Sequence, residues 1–112
     1  MVHMLPLSVD GHPVVGITVE LPRTRLVIAT VPAGYLMCGA LDVDLLDRLL
    51  GHRHVVAGRS LGVRSVEDLL EKPLESVTAA AGALGLRAGM SGADALRLLL
   101  AAGEPMAAPR EG

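Results

Sequence analysis

The sequence contains almost no aromatic side chains. Its 112 residues include one tyrosine, Tyr35, and neither phenylalanine nor tryptophan, although 51% of the residues are hydrophobic. Val, Leu, Ile, Ala and Met must therefore fill the core, and these side chains bury less apolar area per residue than aromatic rings do. A chain of this kind gains stability by burying more surface against a copy of itself, so we expect a homo-oligomer.

A large net charge is also lacking. The basic and acidic residues nearly balance, which gives a formal net charge of −2 and an isoelectric point near 6.0. Proteins that bind nucleic acid usually carry a basic surface, and those that hold single strands add aromatic side chains. We therefore expect no nucleic acid among the partners.

Long hydrophobic runs are missing as well. The uncharged apolar stretch of residues 77–86 contains two glycines and is too short to span a bilayer. The N-terminal residues do not show the pattern of a signal peptide. Cys38 is the one cysteine, so an intramolecular disulfide is excluded, which fits a reducing compartment. We expect a cytoplasmic protein with no membrane partner.

The first half of the chain has the pattern of a strand meander. Short apolar runs alternate with turn residues such as Asp10-Gly11 and residues 32–34, which predicts antiparallel strands joined by tight turns. One of these runs has the period of a half-buried strand, because smaller or polar residues alternate with four apolar ones, namely Val15, Ile17, Val19 and Leu21.

The second half has helical periodicity. A leucine stripe that includes Leu49 and Leu50 predicts a helix capped by Asp42, and Ser65 and Ser91 are N-cap residues of two later helices. A third, Ala-rich helix over residues 76–84 has almost no polar face, so we expect it to be buried on most sides, either within the chain or by another subunit. The fold class that follows is α+β.

In that fold, residues 1–102 form one domain with a mixed, mostly antiparallel sheet of about five strands and helices packed on the sheet. Residues 103–112 are predicted to be a flexible C-terminal tail.

One strand-helix-strand crossover, from residues 35–38 to residues 54–63, predicts where a site lies. Such a connection most often joins parallel strands, whose carboxyl ends share one edge of the sheet, and ligands collect beyond that edge. We therefore expect one hollow to be shared by Cys38, Gly39, Asp42, Ser60, Gly62, Arg64 and Ser65.

Cys38 is the candidate catalytic residue. A thiol near a helix N-terminus with an arginine close by is activated as a nucleophile, which would make the protein a small enzyme or redox protein. The alternative is a packed thiol, since free cysteine is among the most buried residue types. A nucleophile also needs a base, and His52 and His54 lie at the opposite end of a parallel crossover. The sequence favours packing and leaves the question of an enzyme open.

The candidate ligand-binding residues are Gly39, Asp42, Arg59, Arg64, Ser65 and Ser91. A guanidinium in an apolar strand needs a partner, and for Arg59 this is either Asp42 or Glu67, or the carboxylate or phosphate of a small anionic ligand. His52 and His54 lack a third ligand at metal-site spacing, so no metal site is predicted. Phosphate-loop and dinucleotide fingerprints do not occur, and we predict no cofactor.

Four separated motifs resemble those of the YunC-like family, a group of small uncharacterised bacterial proteins with archaeal relatives. They span residues 34–43, 56–70, 73–78 and 89–96. The resemblance covers nearly the whole chain up to about Leu100 and implies a compact α+β domain, but it implies no activity. From the residues themselves we expect a cytoplasmic, homo-oligomeric module that binds a small ligand or a protein partner, with the thiol enzyme as the alternative.

Overall fold

The structure is a computed structural model that describes residues 1–49 and 51–103. Leu50 and the predicted tail beyond Gly103 lie outside the described residues. The described chain forms one six-stranded sheet whose strands are β1 (Val2–Val9), β2 (His12–Leu21), β3 (Thr24–Val31), β4 (Gly34–Met37), β5 (Ala57–Arg59) and β6 (Ser76–Val77). Its α-helices are α1 (Val43–Arg48), α2 (Val66–Glu71), α3 (Ala79–Ala83) and α4 (Gly92–Ala102), and a 3-10 turn spans Gly51–Arg53.

The strands lie in the sheet in their order along the chain. Strands β1 to β4 form the predicted antiparallel meander. Strand β5 pairs with β4 in parallel, with Tyr35 opposite Ala57 and Met37 opposite Arg59, and α1 lies between the two strands in the chain. The predicted α+β class and the parallel crossover are therefore confirmed.

The sixth strand comes from a segment that the sequence pattern assigned to a helix. Ser76 and Val77 pair with β5, and α3 begins only at Ala79 because Thr78 is its N-cap. Of the residues in α3, Ala81 is buried, whereas Ala79, Gly82 and Ala83 are exposed. The expectation of a helix buried on most sides is wrong for the single chain.

One face of the sheet is covered by α2 and α4, which lie against β1–β4. The approach of α2 is close, since a Cβ atom at Gly16 would lie 2.9 Å from a methyl carbon of Val66. The main core fills the space between this face and the two helices, and its fully buried side chains include Val27, Leu36, Leu69, Leu96 and Leu99. None of the helices in the described ranges is long and apolar enough to cross a membrane.

Among residues 1–49 and 51–103, the opposite face of the sheet is covered only around β4 and β5. There a second, smaller core cluster joins Leu41 and Val43, at the start of α1, to Ala57 of β5. The partly buried side chains of Tyr35, Met37, Leu46 and Val55 pack against it.

The remainder of that face, over β1–β3, is uncharged and mostly apolar, and it forms what we call the open face. Residues opposite each other in an antiparallel pair point to the same side. The register Met4–Ile17–Ile28 therefore runs across the open face. Its apolar members are Val2, Met4, Pro6, Pro13, Val15, Ile17, Val19, Leu21, Leu26 and Ile28, and Ser8, Thr24 and Thr30 add uncharged polar groups toward the strand ends.

Strand β2 shows how the two faces differ. Val14 and Gly16 point to the helices and are buried, whereas Val15, Ile17 and Val19 are only half-buried. Within the described residues, these three side chains and Ile28 belong to neither core cluster. The side of β2 on which the apolar residues alternate thus points away from the core of the single chain. Alternation of this kind normally marks the buried side of a strand.

Candidate functional site

The carboxyl ends of β4 and β5 meet at one edge of the sheet, as the parallel pairing requires. The backbone N–H of Ser60 donates to the carbonyl of Met37 at 3.0 Å, and the N–H of Cys38 donates to the carbonyl of Val27 at 3.1 Å. The guanidinium of Arg25 donates to the carbonyl of Arg64 at 2.9 Å. The segments of Cys38 and Arg64 therefore both lie beside the first residues of β3. We call this edge of the sheet, where β3 begins and β4 and β5 end, the rim.

Cys38 lies beneath this rim. Its side chain belongs to the main core and is 6% exposed, and the backbone N–H of Val27 lies 3.5 Å from its Sγ atom. A thiol in this position packs as a small hydrophobe and offers little surface to a substrate. Gly39, the next residue, is exposed, and a Cβ atom there would lie 3.1 Å from the side chain of Leu61.

The Arg59 guanidinium is held by partners other than the two predicted from the sequence. Its Nε and NH2 atoms lie 2.9 Å and 2.8 Å from the Oε1 atom of Glu75, and NH1 donates to the carbonyl of Leu41 at 3.1 Å. The antiparallel β5–β6 pairing brings Glu75 to this position, since its N–H donates to the carbonyl of Arg59. The prediction that Asp42 or Glu67 pairs with the Arg59 guanidinium is therefore wrong.

The Glu75 carboxylate is stabilised from two sides. The Ser76 hydroxyl donates to Oε1 at 2.7 Å, and this bond, followed by the bond from Arg59, lowers the pKa of the Glu75 carboxyl below its usual value. The pair borders a shallow cavity of about 310 Å³ that also contains three aspartates, lined by Asp42, Val43, Asp44, Asp47, Arg59, Glu75 and Ser76. Four carboxylates and one engaged guanidinium make this an acidic groove.

A larger open cavity, of about 570 Å³, lies on the rim itself, and we call it the rim groove. It runs between the β2–β3 turn and the loop before α2 and is lined by Glu20, Leu21, Thr24, Arg25, Val63 and Arg64. Arg25 is held in place by Glu20, whose carboxylate lies 3.0 Å from NH2. Within the described residues, the exposed Arg64 side chain forms neither a hydrogen bond nor an ion pair.

The single hollow expected from the sequence is therefore divided. Arg64 lines the rim groove, Asp42 and Arg59 line the acidic groove, and Cys38 is buried in the core. The parallel strands do end together, but the thiol points into the main core rather than toward the arginine.

Three of the predicted ligand-binding residues are helix caps. The side chains of Asp42, Ser65 and Ser91 accept the backbone N–H groups of Leu45, Asp68 and Asp94 respectively. These caps stabilise the first turns of their helices and occupy N–H groups that an anion would otherwise use.

Ser91 is also held in place by the segment that follows α2. It forms a β-bridge with Pro73, and the N–H of Gly92 donates to the carbonyl of Lys72. The start of α4 thus lies against the chain that follows α2 and bonds to it.

No group of three or more His, Cys, Asp or Glu side chains suited to a metal ion occurs in residues 1–49 and 51–103. His54 adopts a positive φ of 52° in the connection that leads to β5, away from the end of β4 where Cys38 lies.

Thr24 and Arg25 line the rim groove but are not among the site residues predicted from the sequence. The signal was available in the meander itself. Antiparallel pairing of β3 with β4 puts the first residues of β3 beside the last residues of β4, so Arg25 had to lie on the same rim as Cys38. The positive φ of 63° at Arg23 marks the turn that brings it there.

The fold and the rim define a class: a small single-domain α+β protein with one face of its sheet covered by two helices. Residues 37–99 match the family model described as "Domain of unknown function (DUF1805)", and the chain belongs to this family. The resemblance to the YunC-like family is confirmed, because the chain is 50% identical over 96 residues to the uncharacterized protein YunC of Bacillus subtilis (strain 168). The match covers 86% of this chain and 95% of that protein.

A solved structure shows the same fold. The crystal structure of a protein of unknown function, TA1206 from Thermoplasma acidophilum, superimposes with a TM-score of 0.78 at 20% sequence identity. The similarity covers 88% of this chain and 93% of that one. Because the identity is low, this likeness is evidence for the fold alone.

Proposed function

We propose that the protein is a non-enzymatic cytoplasmic module that forms a homo-oligomer and binds a small anionic ligand in the rim groove. The observation that supports this most strongly is the guanidinium of Arg64, which has no partner among residues 1–49 and 51–103 and lines the same groove as the fixed guanidinium of Arg25. Two neighbouring arginines, one of them free, suit a carboxylate or a phosphate group, which accepts several charge-assisted hydrogen bonds.

Charge favours the rim groove over the acidic groove. The rim groove contains two guanidinium groups and one carboxylate, so it has an excess positive charge. In the acidic groove an anion would approach four carboxylates, and Arg59 already bonds to Glu75 and Leu41. Like charges at contact distance oppose binding, so Arg64 rather than Arg59 is the proposed anion ligand.

The alternative, an enzyme that uses Cys38, receives less support. A nucleophilic thiol has to be reachable and close to a base, whereas Cys38 is packed in the main core. The free thiol agrees with a reducing cytoplasm, and the small negative net charge supports a module without a nucleic-acid partner.

The proposal is tested by thermal unfolding in the presence of inorganic phosphate or citrate at constant ionic strength. Because a ligand of the folded state stabilises it, we expect the wild-type Tm to rise by about 5 °C at ten times the Kd. Arg64→Gln should abolish the rise for the anion that gives it.

The matched control is Arg87→Gln. It removes the same charge from an exposed arginine that does not line the rim groove, so it should keep the wild-type response. An equal rise in Arg64→Gln, or no rise with either anion in the wild type, would contradict the proposed site.

A further inference from the structure

We infer that the open face is the surface through which two copies of this chain associate, sheet against sheet. The inference rests on the proposed homo-oligomer and identifies its interface. An antiparallel sheet that faces water on one side normally has polar residues on that side. On the open face, the line Met4–Ile17–Ile28 crosses three strands without a polar side chain.

The charges of these strands all point to the other side. Glu20 and Arg25 form a cross-strand ion pair there, and the register puts His3 and His12 on the same side. Side chains of β1–β3 therefore contribute no charge to the open face. A covering surface must also be apolar, because burying its charged groups without partners costs several kcal/mol.

A second copy of this chain satisfies that condition. In a two-fold dimer the same patch meets itself, and an uncharged patch with Val, Ile, Leu and Met side chains at its centre brings no like charges together. Sheets with such flat apolar faces pack about 10 Å apart with their side chains interdigitated. The second core cluster, on the same side of the sheet, borders the patch and adds Met37 to its margin.

The free edge of β1 is less suited to association. Met1 and Glu20 exchange two backbone hydrogen bonds, so alternation along the ladder turns the backbone groups of residues 2, 4, 6 and 8 outward. Pro6 is one of these and has no N–H to donate, and proline on an edge strand opposes edge-to-edge pairing. Association through the face is favoured over extension of the sheet.

The size of the open face matches a modest dimer interface. Three strands at a spacing of about 4.8 Å and about nine residues at 3.3 Å each outline roughly 450 Å² per copy. Two copies would bury about 900 Å² before the relief of the side chains is added, which is close to the ~1,000 Å² expected of a biological interface.

The inference is tested by sedimentation equilibrium of the full chain at micromolar concentration. The wild type should have about twice the 11.6 kDa mass of one chain. Ile17→Lys places a charge at the centre of the open face and should raise the dimer Kd by roughly a hundredfold or more. Met4→Lys should weaken the dimer too, and since Met4 is 68% exposed in the single chain, this variant leaves the fold intact.

Ala83→Lys is the matched control, because it adds the same charge to the exposed apolar surface of α3 and should leave the dimer unchanged. If Ala83→Lys dissociates the oligomer and both open-face variants do not, the assigned interface is wrong and the homo-oligomer stands. If the wild type is still monomeric at about 100 μM, a hundred times a concentration of about 1 μM, both the homo-oligomer and its interface are refuted.

Discussion

Gly92, the first residue of α4, lies directly against the backbone of α2. A Cβ atom there would overlap the carbonyl oxygen and carbonyl carbon of Leu69, which belong to the backbone of α2. Because a backbone cannot move aside as a flexible side chain can, Gly92→Ala should force α4 away from α2. We expect the free energy of unfolding, measured with urea, to fall by about 3 kcal/mol or more.

Gly82 provides the control for this substitution. It lies inside α3, and a Cβ atom there would have no neighbour within 4 Å. Gly82→Ala should therefore raise stability by about 0.5–1 kcal/mol, since alanine restricts the unfolded chain more than glycine does. Equal effects of the two substitutions would show that the close helix contact is not formed.

Local features of single residues could be predicted from the sequence, and distant ones could not. Asp42, Ser65 and Ser91 were identified as N-caps because a cap and its helix are adjacent in the chain. The partner of Arg59 was missed because Glu75 lies 16 residues away. It reaches the arginine only through the pairing of β5 with β6.

Thr78 joins elements that are separate in the sequence. Its buried hydroxyl donates to the carbonyl of Val55 at 2.7 Å and accepts the N–H groups of Ala57 and Ala81, both at 3.2 Å. Thr78→Val keeps the shape but leaves buried polar groups without partners, so we expect a loss of about 3 kcal/mol in urea unfolding. Thr78→Ser keeps the hydroxyl and should cost only about 1 kcal/mol. A similar loss in both variants would mean that the hydroxyl contributes nothing.

Longer elements followed from their periodicity, and short ones did not. The meander and the crossover were recognised because apolar runs, turn residues and a leucine stripe extend over many positions. Strand β6 consists of two residues, too few for any period. The same limit applies to its sequence neighbour α3, whose start was placed three residues too early.

On the scale of the whole molecule, association predicts that stability depends on protein concentration. If two chains unfold as one dimer, mass action raises the wild-type Tm by about 3 °C for each tenfold increase in concentration. The Tm of Ile17→Lys should not depend on concentration, because its chains unfold singly. Calorimetry at several protein concentrations measures the Tm of both proteins. An equal change of Tm with concentration in the wild type and in Ile17→Lys would contradict the dimer.

Strand β2 shows why the side of the sheet that the helices cover was harder to predict than the strands themselves. Alternation identified Val15, Ile17 and Val19 as the apolar side, but it carries no information on whether helices of the same chain or another molecule cover that side. The helices instead select the side of Val14 and Gly16, where the missing side chain of glycine lets α2 approach.

Because α4 follows the other described elements in the sequence, the core is completed late in synthesis. A ribosome that has made the meander and α2 has not yet supplied Leu96 and Leu99, which close the helix-covered face. The 11 residues of α4 take about one second to translate. Until α4 emerges, both faces of the nascent sheet expose apolar side chains. A ribosome stalled before Gly92 would therefore present a substrate for chaperones.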